Sequence, residues 1–100
     1  MAKATVLLSG LADRDLSDIA AYTIERFGSA QAIRYGDELF RAAVLAAQEP
    51  ESGRIYVTSD GLEMRRVNVG RHAIFYRQTT TGILVVRVLH FIMNFEQHLS

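Results

Sequence analysis

Apolar positions along the chain change their period twice. Thr5-Val6-Leu7-Leu8 is a short apolar run that reads as a first strand, and Ser9 after it is a residue type that caps helices. Apolar residues then recur at Ala12, Leu16, Ile19, Ala20, Thr23 and Phe27, a helical spacing, with Asp13, Arg14, Ser17, Asp18 and Glu25 on the wet side. Asp13 and Asp15 sit near the positive end of that helix, and its acids are read as a solvated face. Gly28 ends the helix and Ser29 is expected to cap the next one. The second helix is predicted from about Ala30 to Gln48. Ala32, Tyr35, Leu39, Ala43 and Ala46 form its apolar stripe, Ile33, Phe40, Val44 and Ala47 widen it, and Pro50 stops it. So short a link between long helices makes an antiparallel helical hairpin.

After residue 50 the pattern shifts to extended chain. Residues 51–63 read as a polar loop in which Arg54-Ile55-Tyr56-Val57 could form a brief extended piece. Strands follow over about Met64–Val69, His72–Gln78 and Ile83–His90, and the tail from Phe91 to Ser100 reads as a short helix. The order β-α-α-β-β-β predicts an α+β fold: a helical hairpin packed on one face of a small, mainly antiparallel sheet. The first strand could pair beside the last, adding a parallel element. The chain shows no repeats, low complexity or second composition, so residues 1–100 are read as one domain.

Charge sharpens this picture. The net charge is zero, but residues 1–51 carry five cations against eight acids and residues 52–100 carry six against three. An acidic first half and a basic second half either neutralise each other inside the fold or offer each half a partner. Ten of the eleven basic residues are Arg, which forks onto carboxylates and phosphates and tolerates partial burial better than Lys. Several stand inside apolar strands, where an unpaired guanidinium is costly to bury. The sheet therefore holds either buried ion pairs or a face that meets something anionic.

Candidate chemistry is sparse. There is no Cys, and the three His (His72, His90, His98) lack HxH or HExxH spacing, so no metal site and no cofactor is expected. No GxSxG, P-loop or dinucleotide fingerprint occurs in a suitable context. The start of the chain is too short and weakly basic for a signal peptide, and no apolar run reaches transmembrane length, so a soluble cytoplasmic protein is expected. What remains is a set of Arg and His: Arg65, Arg66, Arg71, His72, Arg77, Arg87 and His90. Arg can stabilise a pentacovalent phosphate and His can move a proton near neutral pH, so a metal-free ribonuclease is conceivable. Strand alternation argues against it. Arg87, three residues before His90, should share a face with Ile83, Val85 and Leu89, whereas His90 should share the other with Leu84, Val86 and Val88.

At these residues the chain resembles a known family. Leu8-Ser9-x-x-Ala12-x-x-Asp15-Leu16-x-x-Ile19-x-x-Tyr22-Thr23 is similar to the first helix of ParE-type toxins, in the RelE/ParE superfamily of toxin–antitoxin systems. Phe27-Gly28-x-x-Gln31-Ala32-x-x-Tyr35 resembles the turn into their second helix. Pro50-x-x-Gly53-Arg54, Arg65-Arg66, Gly70-x-His72-x-Ile74-Phe75-Tyr76-Arg77 and Val86-Arg87-Val88-Leu89-His90-x-x-Met93 extend the match over nearly the whole chain.

The resemblance implies a toxin that inhibits DNA gyrase without chemistry of its own and is neutralised by a ParD-type antitoxin encoded beside it, with no membrane or small-molecule substrate involved. Arg87, His90, Asn94 and His98 are its candidates for touching the target. Phe91, Ile92, Met93, Phe95, Arg65 and Arg77 are candidates for the antitoxin. One or two of the tail's apolar residues should fold back as core; the rest, with the edge of the helical hairpin, should form a groove for an amphipathic antitoxin helix. The RelE branch implies an alternative, a ribosome-dependent endoribonuclease using His90 with Arg65, Arg66 and Arg77. A third possibility is a degenerate toxin that only binds its antitoxin. The tail beyond the last strand and the lack of a Lys-rich surface favour the gyrase branch.

Overall fold

The computed structural model describes residues 3–99; Met1, Ala2 and Ser100, which the reading of the chain's start and tail includes, lie outside the described residues. The elements are β1 (Thr5–Leu8), α1 (Gly10–Phe27), α2 (Ser29–Gln48), a 3-10 turn (Pro50–Ser52), β2 (Arg54–Val57), β3 (Glu63–Val69), β4 (His72–Gln78), β5 (Gly82–His90) and α3 (Phe95–Leu99). The five strands form one sheet in the order β1-β5-β4-β3-β2. β1 runs parallel to β5 and the other pairs are antiparallel. The expected α+β architecture is therefore present, with the first strand beside the last. Among the described residues no helix is long and apolar enough to cross a membrane.

Ser9 links sheet to helix. Its Oγ accepts from the Ala12 N–H at 2.9 Å, capping α1, and donates to the Val86 carbonyl of β5 at 2.6 Å. Gly28 closes α1 with φ +88°, a left-handed conformation that favours glycine. The turn is so tight that α2 starts at the next residue. Ser29 is thus the first residue of α2 and not its cap, because Gly28 takes the cap position and makes no side-chain bond there.

Both helices bury a narrower stripe than their sequence suggests. Ala12, Leu39, Ala43, Ala46 and Ala47 are buried, and the small residues let α2 lie close to the sheet. Phe27, Ile33 and Phe40 are 66, 65 and 67% exposed, and Ala20 is exposed too. The hairpin forms a single layer on the sheet with no third layer above it, so the flanks of a wide stripe have nothing to cover them.

The sheet is covered on both faces. Ile74, Tyr76, Ile83, Val85 and Val88 pack under the hairpin. Met64, Ala73, Phe75 and Leu89 form a second core on the opposite face, under Leu99 and Phe95 of α3. Phe95 meets Phe75 edge-on at a centroid separation of 5.0 Å, so the tail does fold back, while Phe91, Ile92 and Met93 stay 45, 87 and 44% exposed.

Two features were legible in part or not at all. The extended piece at Arg54–Val57 is a full strand, paired at the edge of the sheet. Its four residues are mostly exposed, so they carry little apolar alternation. A bulge also lies in β5: Phe75 pairs with Arg87 but Tyr76 pairs with Val85, leaving Val86 extra. The bulge reverses the alternation. Val88 thereby joins Ile83 and Val85 on the hairpin face, and Leu89 goes to the other. The expected grouping of Arg87 with Ile83 and Val85 is corrected accordingly, although Arg87 and His90 remain on opposite faces.

Tyr76 ties the second half of the fold together. Its hydroxyl accepts from the Gly53 N–H at 2.9 Å and donates to the Pro50 carbonyl at 2.8 Å. Tyr76→Phe strands two backbone groups and is expected to cost about 1–3 kcal/mol. Urea unfolding measures it; a loss near zero would mean that water replaces the hydroxyl.

Candidate functional site

β1 pairs with β5 only as far as Val85, so β5 beyond that point has an open edge. Asp15 of α1 fills it. Its Oδ2 accepts from the Val88 N–H at 2.9 Å and from Arg87 Nε at 2.8 Å, and its Oδ1 accepts from Arg87 Nη2 at 2.8 Å. Arg87 Nη1 also donates to the His98 carbonyl of α3 at 3.2 Å. Each side chain of the pair is only 13% exposed. The Asp15 hydrogen bond raises the Arg87 pKa despite partial burial. Asp15 is therefore not part of a solvated acidic face. It lies i+3 from Ala12 and i−4 from Ile19, inside the apolar stripe, and that position is the sequence signal for its pairing with an Arg in an apolar strand. Three of Arg87's five N–H donors serve the fold.

Beside this latch α1 and the end of β5 enclose a groove of about 730 Å³. Ile19, Tyr22 and Phe27 line one side, Val88, Ile92 and Met93 the other, and Asp18, Arg26 and Arg71 also border it. Two backbone bonds shape the second wall: Phe91 N–H to Arg71 O and Met93 N–H to His90 O, both 3.0 Å. Tyr35, His72 and His90 are its polar lining. His72 and His90 are cross-strand partners with ring centroids 5.1 Å apart. The Tyr35 hydroxyl bonds both the Val69 carbonyl, at 2.9 Å, and His72 Nδ1, at 2.5 Å. His90 Nδ1 accepts from the Ile92 N–H at 3.1 Å. Tyr35 reads as an apolar helix residue in the sequence, which does not announce its bond to His72.

Burial, then the neighbouring His90, lowers the His72 pKa below 6.5. A depressed folded-state pKa means that the unfolded chain takes the proton first as pH falls. The His72 contribution to stability should thus be constant above about pH 6.5 and decline from there down to the folded-state pKa. Thermal melts across this window should show the slope in the wild type and a reduced slope in His72→Asn. Equal slopes would remove His72 as the cause.

The residues considered for RNA cleavage are not brought together. Arg65 donates to Glu51 O at 3.0 Å and Gly53 O at 2.8 Å, beside Tyr76. Along β4 that row lies four residues from the His72–His90 row, about 13 Å at the usual rise per residue. Arg66 pairs with Phe75 and lies over the Phe95 ring at 5.7 Å, on the opposite face from His90. Arg77 is exposed and pairs with Leu84. Arg54, Arg66, Phe75 and Arg87 make one cross-sheet row, so the face under α3 is rich in guanidinium. Asn94 and His98 are exposed on the tail, and the Asn94 Oδ1 accepts from the Glu96 N–H at 3.1 Å. Among the described residues no group of three His, Cys, Asp or Glu could hold a metal ion.

The chain has clear relatives. A family described as the ParE toxin of the type II toxin–antitoxin system, parDE, matches residues 6–95. Toxin ParE1 of Mycobacterium tuberculosis is 38% identical over 96 residues, covering 93% of this chain and 95% of that protein. Toxin ParE1 of Caulobacter vibrioides is 36% identical over 95 residues, with the same coverage. A solved structure described as the chromosomal ParDE TA system from P. aeruginosa superposes with a TM-score of 0.72 at 14% identity, over 88% of this chain and 96% of that one, a likeness of fold. With the match spanning β1 through the start of α3, this chain belongs to the ParE toxin family of type II toxin–antitoxin systems.

Proposed function

We propose that this chain is a cytoplasmic toxin, acting as one domain over residues 1–100, that inhibits DNA gyrase by binding and is neutralised by a ParD-type antitoxin encoded beside it. The family match over residues 6–95 carries this reading. The scatter of His90, Arg65, Arg66 and Arg77 over two faces and four cross-strand rows supports binding over cleavage, because acid–base catalysis needs its groups within reach of one substrate.

The antitoxin's place is the groove. Its apolar walls, with Ile92 87% exposed, suit one face of an amphipathic helix. Acids on that helix would meet Arg26 and Arg71, and on a following segment Arg77. Such a segment is disordered alone and folds on the toxin. The exposed Asn94 and His98 remain candidates for the gyrase contact. The test is purified protein with gyrase and relaxed plasmid, run beside a translation reaction. Blocked supercoiling with accumulating cleaved DNA is expected; codon-phased mRNA cuts with untouched gyrase would overturn the proposal.

A further inference from the structure

The hydrogen bonds of the two groove histidines assign them opposite donor–acceptor sense. The Tyr35 hydroxyl has one proton. The Val69 carbonyl can only accept; we assign the proton to Val69, which makes His72 Nδ1 the donor to the Tyr35 oxygen. His72 is therefore the Nδ1–H tautomer, with a bare lone pair on Nε2. His90 is the reverse. Its Nδ1 accepts from the Ile92 N–H, so its proton sits on Nε2.

Both Nε2 atoms are available. Among the described residues no side-chain hydrogen bond uses either one, and no buried side-chain nitrogen or oxygen lacks a partner, so both reach solvent at the groove. The cross-strand pairing holds the two rings in a T-shaped arrangement. The depressed His72 pKa keeps its lone pair free at neutral pH.

We propose that His72 and His90 form a recognition site for one carboxamide side chain, Asn or Gln, on the antitoxin segment that enters the groove. The carboxamide oxygen accepts from His90 Nε2–H and its NH₂ donates to His72 Nε2. A carboxylate has no proton for His72, and an ammonium has no lone pair for His90. A carboxamide presents its donor and acceptor on separate atoms, whereas a Ser or Thr hydroxyl offers both on one oxygen, and the substitution test below separates the two. Arg26 and Arg71 at the groove favour an acid beside the amide. The inference rests on the antitoxin occupying this groove and adds which partner residue the histidines select.

Three measurements test it. Long-range nitrogen–proton NMR of the free protein at neutral pH should show the Nδ1–H form for His72 and the Nε2–H form for His90; any other pairing overturns the proposal. Binding of the antitoxin encoded beside this chain is then measured by calorimetry. His72→Asn keeps a donor near the Nδ1 position and deletes the Nε2 lone pair, while His90→Gln keeps a donor near Nε2. The first should weaken binding roughly tenfold, the worth of one buried hydrogen bond, and the second much less. Alanine at each Asn and Gln of the antitoxin's C-terminal part should find one position whose loss matches His72→Asn and does not add to it. If the antitoxin binds but no Asn or Gln matters, or a Ser or Thr does instead, the carboxamide proposal fails and the toxin reading stands. If the antitoxin does not bind at all, both fall.

Discussion

Arg87→Ala is expected to lower folding stability by about 3 kcal/mol, the lower end for breaking a desolvated ion pair. The substitution leaves the largely buried Asp15 carboxylate with only the Val88 N–H for company. It also removes the bond to His98 O that holds α3 near the sheet. Asp15→Ala should cost a similar amount, because it strands both the guanidinium and the open edge of β5. The double variant should lose clearly less than the sum, since the second removal takes away a charge that the first left unpaired. Urea unfolding of the four proteins measures the cycle. Single losses below about 1 kcal/mol would place the pair with exposed salt bridges and remove its role as a latch. Toxicity lost on Arg87→Ala therefore reports folding before it reports any contact with a target.

The sequence held most of the architecture because the helices carry a strong period and their caps are local. Ser9 and Gly28 act where they stand in the chain. What it hid depends on pairing between distant strands. Residues 54–57 become a strand only because β3 is there to pair with them. The bulge at Val86 comes from matching β5 to β4, and nothing in Val85-Val86-Arg87 marks which residue is extra. The site divides in the same way. An Arg amid apolar residues in β5 pointed to a buried pair or an anionic partner, but its counterpart Asp15 was grouped with the solvated acids of α1, although its place inside the apolar stripe marks it. The Tyr35–His72–His90 arrangement was not readable, because it joins α2, β4 and β5 across the groove.

Removing the end of the chain is a poor test of the tail's function. Phe95 and Leu99 cover Phe75, Leu89 and Met64, so their loss opens the second core. His90→Ala separates the readings more cleanly. His90 is half-buried, and its one side-chain bond among the described residues goes to the N–H of the exposed Ile92, which water can satisfy. The fold should survive with a melting temperature near that of the wild type. If killing needed an acid–base group at this position, its loss would lower the rate roughly 10²–10⁴-fold and abolish toxicity. A gyrase inhibitor that works by binding loses no chemistry. His90→Ala is therefore expected to kill when expressed alone, and to be restrained less well by the co-expressed antitoxin because the groove has lost a donor. Growth curves with and without the antitoxin, beside a melt of the purified variant, measure both effects. A well-folded His90→Ala that no longer kills would move the protein from gyrase to RNA.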